Sequence, residues 1–284
     1  MEDVILNQSS HPSQPSDAEV LAKNAPTPND PPWGISSAVG VWIASVLMIL
    51  VIPMLFLLPY LAMADPPISR PEQLIEFAKT DAASIFLQIA AIIPAHLLTV
   101  LLAWIVVTRM RRYPFLETLG WRSGGFAWWH YVVILVSFFG LAALVGNYFP
   151  EQENDLIRIL QSSRSAVYIV ALVATITAPF VEEVVYRGVL YSAFQRNLGI
   201  PAAFFLVTFL FALVHVPQYY PSYSTIFLLC ILSMTLTAIR VVSNNLLPCV
   251  ILHTLFNGIQ SVFLIVQPIT PLSPGPDIAS CMPL

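Results

Sequence analysis

Seven long apolar stretches dominate this chain, separated by short polar turns. They fall near 36–63, 83–108, 127–148, 165–196, 201–216, 223–241 and 246–267. A helix needs about 20 mostly apolar residues to cross the roughly 30 Å hydrocarbon core of a bilayer. The pattern therefore predicts an all-α, polytopic transmembrane helix bundle. The fourth stretch is the longest and contains Pro179, which removes a backbone donor from any helix it joins. It reads as one kinked helix or as two short ones, so the total is seven or eight. Residues 150–163 set acids among Leu and Ile, the pattern of a short helix lying in the interface. Residues 1–33 are polar and proline-rich and read as a disordered leader. Residues 34–112 then hold two N-terminal spans, 113–267 a larger membrane domain, and 268–284 a flexible tail.

Composition agrees with this pattern. The chain is 57% hydrophobic and 10% charged, against about 45–50% and about 25% in soluble domains. The formal charge of −4 matters less than where the basic residues lie. Arg109, Arg111, Arg112 and Arg122 flank one turn, which is expected to face the cytoplasm, with Arg196, Arg240 and the N-terminus on the same side. The expected surroundings are membrane lipid. No basic cluster with interleaved aromatics is present, so nucleic acid is not an expected partner. Cys230, Cys249 and Cys281 show no metal-ligand or disulfide spacing and read as apolar filler or tail. The final Cys281-Met282-Pro283-Leu284 has the outline of a prenylation box and is read as coincidence.

The chemistry concentrates in a few polar positions inside apolar segments. Glu182 and Glu183 are the only two of sixteen acidic residues that fall within such a segment. Arg187 is the one basic residue well inside one. A charged side chain at mid-bilayer costs roughly 2.5–3.5 kcal/mol on insertion scales, so three in six residues mark a functional site. Adjacent residues point about 100° apart on a helix. Glu183 and Arg187, four apart, face each other and pair, which lowers the cost of burying both. Glu182 is left to meet another neighbour, and a lone carboxylate in a low-dielectric site is a candidate general base or acid. Folding the chain into a hairpin at residues 197–201 puts His215 at the depth of Glu182. For His253 and Asn257, four apart on one helix face, to join them, the hairpin tip must project below the membrane or the last helix must tilt. His96 reads either as lining the same cavity or, the favoured reading, as bonding a carbonyl that Pro94 frees. The chain lacks the H-E-x-x-H and G-x-S-x-G signatures and a Walker loop.

Glu182-Glu183-Val184-Val185-Tyr186-Arg187 has the form EExxxR, Phe211 to His215 the form FxxxH, and His253 to Asn257 the form HxxxN. In that order, and with the upstream YPFLETLGWR at 113–122, they resemble the CPBP family of intramembrane proteases, which includes type II CAAX prenyl endopeptidases. The resemblance covers roughly residues 113–267. It implies an endopeptidase with a cavity facing the cytosol and a peptide or membrane-protein substrate, prenylated in some members. Glu182, aided by His215, would activate a water, and His253 and Asn257 would donate to the oxyanion, with Glu183 and Arg187 in support. The competing chemistry sets zinc or another divalent ion on His215, His253 and Glu182. Two other readings use the same residues: a non-enzymatic membrane scaffold or peptide-immunity factor, and a proton-coupled transporter.

Overall fold

The computed structural model describes residues 26–63 and 70–266. Residues 1–25, the rest of the loop at 64–69, and the tail with Cys281 lie outside the described residues. The helices are α1 (Ile35–Ala62), α2 (Pro71–Thr80), α3 (Ala82–Ala90), α4 (Ile92–Thr108), α5 (Phe115–Leu119), α6 (Trp128–Tyr148), α7 (Asp155–Ser162), α8 (Arg164–Leu198), α9 (Ile200–Tyr219), α10 (Tyr223–Ser243) and α11 (Leu247–Val266). No β-strand occurs among the described residues; Thr27 and Asp30 form one isolated bridge. Seven spans are long and apolar enough to cross a membrane: α1, α3 with α4, α6, α8, α9, α10 and α11. No more than a third of any span is buried within the protein. The remaining apolar faces have only lipid to satisfy them, which makes this an integral, multi-pass membrane protein.

The fourth span is a single helix, not two. Pro179 does not break it, because the backbone widens into a π-helical turn at Val173–Thr177 just before the proline. A second π turn runs from Val184 to Leu190. The interfacial helix expected at 150–163 is confined to α7, which starts where the Asn154 side chain accepts from the Ile157 amide (3.0 Å). Helix α2, in the loop at 64–82, went unanticipated; Pro71 at its first turn and Lys79 in its last are the local signals.

The hairpin tip projects. A Cβ on Gly188 would lie 3.4 Å from Leu246, just before α11, so the ten residues 189–198 run past the end of that helix. Val189 to Phe194 are nonetheless buried. What covers them is partly the last stretch of the expected leader. Residues 26–33 are docked on the bundle, which corrects the assignment of disorder through residue 33. Trp33 Nε1 donates to Val189 O (3.0 Å). Arg196 donates to Pro31 O and to Trp33 O (2.9 Å). Arg240 lies inside the protein, fully buried. It donates to Pro28 O (2.7 Å), Asn29 Oδ1 (3.1 Å), Ser192 Oγ (3.2 Å) and Arg187 O (3.2 Å), and its guanidinium lies over the Tyr191 ring. Proline-rich composition argued for disorder, but the carbonyls that such a segment leaves free are what two arginines capture. Gly120 lets the chain pass closely here: its φ is +81°, and a Cβ would sit 2.8 Å from Pro28.

Arg240 therefore ties the docked N-terminal segment to the backbone of Arg187. Replacing it with Leu strands several buried acceptors at once. Arg240→Leu is expected to cost about 2–4 kcal/mol and to open residues 189–199 to protease. Unfolding in detergent and limited proteolysis read both effects.

Candidate active site

The site grows from the middle of α8. Thr177 closes the first π turn, Glu182 and Glu183 follow one turn later, and Arg187 lies in the second π turn. Single π turns interrupt α-helices mostly at functional sites. The two glutamates part company as their 100° separation requires. Glu183 is fully buried, whereas the Glu182 side chain is 21% exposed.

Glu183 Oε1 accepts from Arg187 Nη1 at 2.9 Å and from His253 Nδ1 at 2.8 Å. The expected Glu183–Arg187 pair is thus half of a three-residue cluster. Arg187 is itself fully buried, and its Nη2 and Nε donors are engaged as well. Nη2 donates to Ser233 O (3.0 Å) and Ser233 Oγ (2.8 Å), and Nε to Thr237 Oγ1 (3.4 Å). The Phe211 ring lies 4.7 Å from the guanidinium carbon, a cation–π contact in a desolvated place. Glu183 Oε2 is buried without a hydrogen-bond partner among the described residues.

Because Glu183 accepts, His253 Nδ1 carries its proton, which leaves Nε2 for the other side. There Glu182 Oε2 lies 3.8 Å away. His253 therefore stands between the two carboxylates, bonded to the buried one and facing the accessible one. His215 is held by a bond from Nδ1 to Phe211 O (2.7 Å). Its ring meets the Phe211 ring at 4.6 Å between centroids, and Phe211 reaches His253 at 6.2 Å. His215 thus joins the cluster through an aromatic ring, with no direct bond to Glu182.

Asn257 does something the sequence did not show. Ala178 N–H bonds to Val173 O, a π-type bond. The next bond in that pattern would run from residue 179 to Ala174 O, and Pro179 has no N–H. Asn257 Nδ2 takes up the stranded carbonyl at 2.8 Å. Four residues on, Ser261 accepts from Thr175 Oγ1 (2.9 Å). His253, Asn257 and Ser261 thus form one stripe of α11 that is hydrogen-bonded along α8.

His96 also stands elsewhere than expected. Its Nδ1 pairs with Thr177 Oγ1 at 2.9 Å, not with a carbonyl freed by Pro94. It is buried. A lone histidine in IIPAHLL carries no signal for this, because the contact is made between α4 and α8.

The metal set of Glu182, His215 and His253 does not assemble. Among the described residues, no three His, Cys, Asp or Glu side chains converge on one point. The structure therefore does not support the metalloprotease alternative.

The buried pair invites a stability test. Arg187→Met leaves Glu183 as an uncompensated buried charge and is expected to cost about 3–5 kcal/mol. Glu183→Leu added to Arg187→Met removes that charge and should recover part of the loss. Chemical unfolding of the single and double variants in micelles reads the difference.

No curated protein and no solved structure matches this chain. Residues 164–259 match the family model described as Type II CAAX prenyl endopeptidase Rce1-like. The matched stretch contains Glu182, Glu183, Arg187, Phe211, His215, His253 and Asn257, every position of the three motifs. This segment, which carries the whole motif constellation, is similar to the Rce1-like family.

Proposed function

We propose that this protein is an intramembrane endopeptidase in which Glu182 activates a water for attack on a peptide carbonyl. The observation that carries the reading is His253 held between two carboxylates, with Nδ1 on buried Glu183 and Nε2 toward accessible Glu182. The Rce1-like match over the same residues supports it.

Peptide hydrolysis needs a base for the water, a donor for the leaving amine and stabilisation of the oxyanion. Glu182 is the base. It takes the proton of the attacking water as the water oxygen bonds to the carbonyl carbon. His253 Nε2 collects that proton from Glu182 and gives it to the amine nitrogen as the C–N bond breaks. Glu183 stabilises the imidazolium that forms in between, and Arg187 holds Glu183 in place. We assign the oxyanion to the second N–H of Asn257, whose first is committed to Ala174 O; His215, with its proton on Nδ1 toward Phe211 O, offers Nε2 only as an acceptor. The substrate is a peptide or membrane-protein segment reaching the site from the arginine-rich end of the bundle, which on the charge pattern is cytosolic.

The test uses the purified protein in nanodiscs with farnesylated CAAX-tailed peptides and unmodified membrane peptides. Glu182→Gln is expected to lower the cleavage rate by roughly 10²–10⁴-fold, the usual contribution of a general base. A chelator is expected to leave the rate unchanged, because the donors do not converge. A Glu182→Gln protein that cleaves like the wild type overturns the reading and favours a scaffold. Cleavage restricted to the farnesylated peptides would define the substrate class.

A further inference from the structure

The end of α6 at Tyr148 meets the start of α10 at Tyr223, on the side of the membrane away from the arginine-rich turn at 109–122. Each helix has 21 residues, about 31 Å at 1.5 Å per residue. That length just crosses the hydrocarbon, so this end lies at headgroup level. An open cavity of about 600 Å³ sits there. Four aromatic rings line it, from Tyr148, Phe149, Tyr223 and Phe227, with Glu151 and Ser224 beside them. Tyr148, Phe149 and Tyr223 are 67–69% exposed, so most of each ring has no protein against it. Hydrogen bonds hold the carboxylate in place. Glu151 Oε1 accepts from Thr225 Oγ1 (3.1 Å) and from Asn154 Nδ2 (3.4 Å). Gln152 N–H donates to Ser222 Oγ (3.4 Å), and the Ser222 and Thr225 hydroxyls share a bond of 2.9 Å. Asn154 and Ser222 are buried, so residues 151–154 are stitched to the start of α10. Glu151 Oε2 has no hydrogen bond among the described residues. No basic side chain pairs with Glu151 among them either, and Arg158 nearby is ion-paired with Glu153 (2.9 Å). A fixed carboxylate without a cation, flanked by negative ring faces, repels anions. A plain acyl chain would leave its charge uncompensated. An organic ammonium group satisfies the rings and the carboxylate together.

We propose that this cavity is a cradle for the ammonium headgroup of a zwitterionic phospholipid. The carbon groups around the nitrogen lie against the rings, and the positive charge faces Glu151. The Ser224 hydroxyl is available to the phosphate of the same headgroup. A lipid is the source because the cavity opens at the ends of two spans, where headgroups are concentrated. The occupant has a structural consequence. Helix α6 packs mainly on α10 and α11, through apolar and aromatic side chains. It makes no hydrogen bond to another helix among the described residues. A headgroup seated between α6 and α10 adds the polar link that this helix lacks. None of the lining residues belongs to the catalytic cluster, so the cradle stands or falls apart from the protease reading.

The test titrates the full chain in maltoside micelles, which carry no ammonium, with phosphatidylcholine, phosphatidylethanolamine or phosphatidylglycerol, and follows the melting temperature. A saturable rise is expected with at least one of the two ammonium lipids and none with phosphatidylglycerol. Glu151→Gln, which keeps the acceptor for Thr225 and removes the charge, is expected to raise the half-maximal lipid fraction by about three- to fivefold. Tyr223→Leu is expected to raise it by a similar factor, and Tyr223→Phe, which keeps the ring, to leave it within about twofold of wild type. The Glu151→Gln, Tyr223→Leu double variant should lose at least tenfold. Both side chains are exposed, so these variants fold, and their melting temperatures without lipid check that. Native mass spectrometry of the same samples counts retained lipid, with one ammonium lipid expected on the wild type and none on the double variant. Equal shifts with phosphatidylglycerol, or variants that titrate like wild type, overturn the proposal and leave the rings as an interfacial belt. The same shift from choline chloride at the concentration of the lipid overturns the choice of a lipid.

Discussion

The buried pair of Glu183 and Arg187 is the interaction on which the rest of this structure depends. Two full charges without solvent are tolerated only when nearly every donor and acceptor is used. Arg187 meets that condition with Glu183, the Ser233 hydroxyl and carbonyl, Thr237 and the face of Phe211. Those partners come from α8, α9 and α10, so satisfying one guanidinium fixes three helices in register. The second glutamate bond, to His253, brings in α11. Arg240 extends the same logic outward: it holds the Arg187 carbonyl with one nitrogen and the docked N-terminal segment with the others. A chain of polar contacts thus runs from residues 28–29 to His253.

The local geometry of α8 is what lets the charges meet. Pro179 in a regular helix would leave one carbonyl unbonded and clash with the preceding turn. The π turn before it relieves the clash and leaves Ala174 O, which Asn257 satisfies. A helix defect therefore becomes a specific docking point for α11. The same docking places His253 one turn further along, opposite the glutamates. In lipid, where no water is at hand for a stray carbonyl, such side-chain rescue is the available solution.

Much of this was legible in the sequence. The seven spans differ from the observed helices by at most a few residues, because hydropathy over 20 residues is a direct consequence of bilayer thickness. The division of labour between Glu182 and Glu183 followed from helix geometry alone. What could not be read depends on which helices touch. The Glu183–His253 bond, the burial of Arg240 and the capture of residues 26–33 all join positions far apart in the chain. Arg240, one turn from the end of α10, reads from the sequence as a helix-end residue, and the hairpin tip together with residues 26–33 makes that location an interior. For His96 the apolar context was right and the partner wrong, since Thr177 becomes available only because α4 packs against the first π turn.

The position of Phe211 ties these strands together. It meets Arg187, Tyr186, His215 and His253 with one ring. A smaller apolar residue would leave the guanidinium without a face to lie on, and a polar one would compete for its donors. The aromatic ring supplies a negative quadrupole face to the cation and apolar surface to both imidazoles, so it dries the cluster without breaking any of its hydrogen bonds. In a dry surrounding the Glu183–His253 bond is worth more than it would be in water, and the tautomer that it fixes is correspondingly firm. The spacing of Phe211 and His215 is therefore a physical requirement of the site as well as a motif: one residue lays the ring over Arg187, and the other, one helical turn on, anchors its imidazole to the carbonyl of the first.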